Sequence, residues 1–76
     1  MESDFPEDLR SDVRKSAIPI VAALRKAGCY VGMIRWDSKS ARTLRFDVKI
    51  TTGRVVHATC GESELTSRLK ELLQSN

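Results

Sequence analysis

The side chains of this chain that could do chemistry are mainly cations: Arg35, Lys39, Arg42, Arg45 and Lys49 all fall between positions 35 and 49. Arginine and lysine at that density suit ionic contact with phosphate oxygens. His57 is the single histidine, and its unperturbed pKa near neutrality makes it the one candidate general acid or base. No spacing rule joins it to Ser38, Ser40, Cys60 or Glu62 as a nucleophile, so it reads as a surface strand residue. Cys29 and Cys60 lie far apart in sequence and do not form a zinc pattern with one histidine. No enzyme, metal site or cofactor is therefore expected, and both cysteines read as reduced, small apolar residues.

The stretch that must position the cations is Arg42 to Thr59. Leu44, Phe46, Val48 and Ile50 occupy every second position, with Thr43, Arg45, Asp47, Lys49 and Thr51 between them. That period predicts a strand with one buried face. Thr51-Thr52-Gly53-Arg54 follows, and Gly53 can supply the positive φ of a tight reversal before β-branched residues resume at Val55 and Val56. The return strand shares the core through Val56, Ala58 and Cys60. Arg45, Lys49 and His57 then face away from it.

Upstream, Leu9, Val13, Ala17, Ile20, Val21, Leu24 and Ala27 recur at steps of three and four, one face of a helix. Asp4 and Glu7 resemble a capping box, which would start a helix after residues 1–5, read as frayed. Pro19 interrupts the pattern. A proline inside a helix costs about 3 kcal/mol, so a kink or break near Ser16 to Ile18 is expected, with Pro19 in the first turn of the main helix and Gly28 at its C′ position. From Cys29 to Asp37 the chain has strand character, but both faces are partly apolar: Tyr30, Ile34 and Trp36 alternate with Val31, Met33 and Arg35. With Tyr30, Ile34 and Trp36 inward, Arg35 joins the open face; with the opposite choice, Trp36 is exposed beside basic neighbours. Trp36 and Met33 read as core residues in so small a domain. Asp37 to Arg42 is the loop to the central strand, and Leu65, Leu69, Leu72 and Leu73 mark a helix after Gly61.

The expected architecture is α+β: a three-stranded antiparallel β-meander with N-terminal and C-terminal helices on one face, in the order α-β-β-β-α. A length of 76 residues suits one domain, 1–76, and the 41% hydrophobic and 30% charged content is ordinary for a globular chain. No apolar run is long enough for a signal sequence or a membrane span, so a cytoplasmic location is expected. The net charge of +3 is unevenly spread. Glu2, Asp4, Glu7, Asp8 and Asp12 make the start acidic, whereas Arg25, Lys26, Arg35, Lys39, Arg42, Arg45, Lys49 and Arg54 outweigh Asp37 and Asp47 in the middle. A polyanion would seek such a concentration.

The order of elements is similar to that of double-stranded-RNA-binding domains and of HicA-type mRNA interferases, and from Tyr30 onward to sheet-type DNA readers of the integrase-arm kind. The likeness is one of layout. The RNA-binding domains carry lysines where this chain has Gly61-Glu62-Ser63-Glu64, and the interferases a Gly-Ser-His where His57 follows Val55-Val56. No family residue is carried over. The expectation is a nucleic-acid-binding accessory or regulatory protein, acting on DNA or RNA through Arg35, Lys39, Arg42, Arg45 and Lys49. The competing readings are a solvated basic face and a protein-interaction module, an inhibitor or adaptor subunit. The module would use that face, or would dimerise or dock through the acidic arm and the Leu9–Val13 stripe.

Overall fold

A computed structural model describes residues 4–75. The elements are α1 (Ser11–Lys26), β1 (Tyr30–Val31), β2 (Arg35–Trp36), β3 (Thr43–Lys49), β4 (Val55–Gly61), a 3-10 turn over Glu62–Glu64, and α2 (Leu65–Ser75). β3 is the central strand: β4 pairs along one side of it, and β1 and β2 pair in tandem along the other, all antiparallel. The class is the expected α+β, helix, strands, helix, but the sheet has four strands where three were expected.

The fourth strand comes from a bulge. β1 pairs Val31 with Val48 and β2 pairs Arg35 with Arg45, so four steps on the edge match three on β3. One extra residue between them flips the side-chain alternation. Val31 before the bulge and Ile34 after it are both buried, Trp36 packs against the core, and Tyr30 turns outward at 66% exposure. The single-face alternatives for this segment were therefore both incomplete: Ile34 and Trp36 point inward as one of them had it, Tyr30 and Val31 as the other did. Met33, expected in the core, is 61% exposed.

Leu44, Phe46 and Val48 of β3 are buried against Val13, Ala17, Val21 and Leu24 of α1 and Leu65 and Leu69 of α2. Both helices therefore cover one face of the sheet. The helix α1 runs unbroken through Pro19, so of the kink or break expected near Ser16 to Ile18 the break does not occur. Pro19 and Lys15, the residue whose carbonyl loses its donor, are both on the exposed face, where water can take that carbonyl. The opposite face buries Ala17, Val21 and Leu24 completely. Apolar side chains buried to that extent contribute about 1.5–3 kcal/mol each for Val or Leu, enough to outweigh the proline. At its C-terminus the helix closes as the glycine predicted: Gly28 has φ 99, its N–H donates to the Arg25 carbonyl, and the Cys29 N–H donates to that of Leu24.

The helix starts at Ser11 and not at the Asp4–Glu7 box. Asp4 instead receives both terminal nitrogens of Arg25, at 2.9 and 3.1 Å, and its carbonyl accepts the Ile34 N–H. Phe5 is buried. Residues 4 and 5 are thus anchored, and the rest of the segment read as frayed, residues 1–3, lies outside the described residues. Leu9 and Val13 are covered within the same core, so the apolar stripe expected to be left over is not exposed. No helix among the described residues is long and apolar enough to cross a membrane.

Candidate nucleic-acid interface

The hairpin register decides what the uncovered sheet face presents. Tyr30 lies opposite Lys49, which lies opposite Val55; Asp47 lies opposite His57; and Arg35 lies opposite Arg45, which lies opposite Thr59. All but Asp47, which is half-buried, are exposed. Facing residues across an antiparallel pair have Cβ atoms about 4.5–5.5 Å apart, and like charges in that relation repel. The Arg35–Arg45 pair is such a juxtaposition. Lys49 stands four residues beyond Arg45, about 14 Å along the strand.

At the centre of the face Asp47 Oδ1 lies 2.7 Å from His57 Nδ1. The hydrogen bond from His57 is the main cause that holds the Asp47 carboxyl below the usual range, with smaller help from the charges of His57, Arg35 and Arg45. The aspartate thus draws on the cations around it, and three permanent positive charges face one carboxylate. A side chain at Gly32 would meet the Tyr30 ring, 3.7 Å from its Cε2. Tyr30 was not among the candidates read from the sequence. Gly32 was the available signal, because a glycine within a strand pattern marks a bulge.

Lys39 and Arg42 do not join this face. They line a shallow, open depression of about 430 Å3 at one end of the sheet, together with Trp36 and Asp8. Arg42 has φ 52, the left-handed region, and aims its guanidinium at Glu62: Nε is 3.0 Å from Oε1, and Nη2 is 2.8 Å from both oxygens. The guanidinium also stacks over the Trp36 ring, 4.3 Å from its centroid. Trp36 Nε1 donates to Asp8 at 2.7 Å. Glu62, 7% exposed, accepts the Arg10 N–H at 2.8 Å at the start of α1. Burial acts to raise the Glu62 pKa, but the Arg10 amide and the Arg42 side chain and charge outweigh it and hold the carboxyl below its ordinary value. This cluster ties the β2–β3 loop to α1 and the 3-10 turn. Arg42 serves it structurally, whatever else its exposed part contacts.

Cys29 and Cys60 are free and buried in the core, and burial pushes the Cys60 thiol pKa up. No group of three potential metal ligands occurs among the described residues. Comparison with known proteins finds no family model, curated protein or solved structure that matches this chain.

Proposed function

We propose that this chain is a nucleic-acid-binding protein of accessory or regulatory kind, with the uncovered sheet face as its contact surface and the cytoplasm as its place of work. The observation that carries this reading is the direct pairing of Arg35 with Arg45 on an exposed face. Like charges that face each other across antiparallel strands repel, Asp47 on the same face is a single carboxylate among them, and a bound anion relieves the remaining repulsion. Lys49 extends the positive track along β3, and Lys39 stands beyond its far end in the loop depression. Tyr30, beside Lys49, offers a ring on which a base can stack, which favours single-stranded DNA or RNA over a duplex. These groups are suited to binding and not to bond breaking. The competing ligand for the same cations is an acidic protein.

The test is fluorescence anisotropy with labelled single-stranded and duplex DNA and RNA at two salt concentrations, comparing the native chain with Arg45→Glu, Lys49→Glu and Tyr30→Ala. The native chain should bind with a marked salt dependence, each charge reversal should weaken binding about tenfold or more and flatten that dependence, and Tyr30→Ala should weaken the single-stranded ligands selectively. Negligible affinity of the native chain for all four ligands would discard the proposal. Affinity for an acidic protein would take its place.

A further inference from the structure

The two edges of the sheet differ sharply. On one side, β1 and β2 are broken by the bulge, and Asp4 covers the gap by accepting the Ile34 N–H at 2.9 Å. On the other, β4 is a regular seven-residue strand with β3 as its one sheet partner among the described residues. Its sequence, VVHATCG, carries none of the lysine, acidic or proline residues that usually guard such an edge. The Ile50 N–H donates to the Arg54 carbonyl and the Glu62 N–H to that of Arg42. These bonds fix the alternation: Val56, Ala58 and Cys60 bond inward to β3, and the backbone groups of Val55, His57 and Thr59 point out of the free edge. Gly61 also points outward, but its N–H is taken by Glu64 Oε1 at 3.1 Å.

Beside this edge, between β4 and α2, runs a groove of about 380 Å3 lined by Val56, Ala58, Leu72, Arg68 and Glu71. Val55 is 47% exposed, and Val56, Ala58 and Leu72 are only half-buried. Arg68 and Glu71 are one helical turn apart on the side of α2 that flanks the edge, and both are exposed. Apolar surface, open backbone groups and an opposite-charge pair thus lie along one line.

We infer that a second copy of this chain docks on β4, the two edges pairing antiparallel about a twofold axis near His57 to form one continuous eight-stranded sheet. The charge pattern selects the occupant. A twofold axis turns α2 of the second copy antiparallel to α2 of the first, bringing Arg68 of each copy toward Glu71 of the other, so the surface is complementary to itself. Antiparallel pairing through Val55, His57 and Thr59 supplies about six main-chain hydrogen bonds and closes off an edge that otherwise invites aggregation. It also joins the two uncovered sheet faces into one surface. The dimer stands independently of what that surface binds.

Sedimentation equilibrium of the full chain from about 1 to 100 μM, a range spanning the dissociation constants of modest interfaces, tests this directly. The expected result is a reversible dimer. Thr59→Pro removes an outward N–H and leaves the β3 ladder intact, so it should give a monomer with native circular dichroism. Arg68→Glu should weaken the dimer about tenfold, and adding Glu71→Arg to it should restore association. A native chain that stays monomeric up to 100 μM overturns the inference. So does a dimer unaffected by both Thr59→Pro and Arg68→Glu, which would place the contact elsewhere. Should Thr59→Pro fail to fold, the charge reversal and its rescue decide the matter alone.

Discussion

Arg42 combines a cross-link to Glu62 with a strained backbone position, and two substitutions separate them. Arg42→Ala deletes the guanidinium that contacts Glu62 at 2.8–3.0 Å and leaves that carboxylate, 7% exposed, with the Arg10 amide. Breaking a buried ion pair costs about 3–5 kcal/mol, but the Arg42 side chain is 54% exposed, which discounts the figure to about 2 kcal/mol. Loss of the stacking on Trp36 adds roughly 0.5–1 kcal/mol. The φ of 52 remains, and it favours glycine. Arg42→Gly loses the same contacts but releases about 1–2 kcal/mol of left-handed strain, offset in part by greater freedom of the unfolded chain. Arg42→Ala should therefore destabilise by about 3 kcal/mol and Arg42→Gly by roughly 0.5–1 kcal/mol less. At about 6 °C per kcal/mol for a domain of this size, the alanine variant should melt nearly 20 °C below the native chain. Urea and thermal unfolding followed by circular dichroism measure both, and the single tryptophan, Trp36, reports the local contact by fluorescence. An alanine variant within 0.5 kcal/mol of the native chain, or a glycine variant less stable than the alanine one, would refute the reasoning about this cluster.

Three further outcomes are expected. Glu62 and Asp4 both have folded pKa values below their unfolded ones, so the stability they contribute is fully present above about pH 5 and is lost as pH falls through the folded values; urea midpoints should drop below about pH 4, and less steeply in Glu62→Gln, whereas an identical slope in that variant would count against the assignment. Pro19→Ala should raise the melting temperature, because it returns a donor to the Lys15 carbonyl in the middle of α1, by up to about 3 kcal/mol in unfolding free energy; a fall would show that the proline fits a distortion the core requires. Gly53→Ala meets no atom within 4 Å but sits at φ 95, so it should cost about 1 kcal/mol in chemical unfolding through backbone strain alone.

The elements that local order specifies were readable from the residues. Alternation from Thr43 to Ile50, the Gly53 turn and the leucines after Gly61 gave the hairpin and α2, and Gly28 ended α1 where expected. The same alternation put Arg45 and Lys49 on one side of β3, exposed together. Arg35 joined them as the reading with Ile34 and Trp36 inward had it, and the bulge, which Gly32 signalled but did not locate, brought Tyr30 to the same face. Lys39 and Arg42 stayed away from it through register and loop placement.

What the sequence determined by itself was therefore the period of each segment and the side on which its apolar residues fall, because these depend on neighbours two to four positions away. The tertiary structure alone decided that α1 passes through Pro19, that Glu62 is buried under Arg42 across 20 positions and caps α1 across 52, and that β4 pairs with β3 alone among the described residues. Each of these turns on whether a contact between distant segments outweighs a local preference, and that balance exists only once the core has brought the segments together.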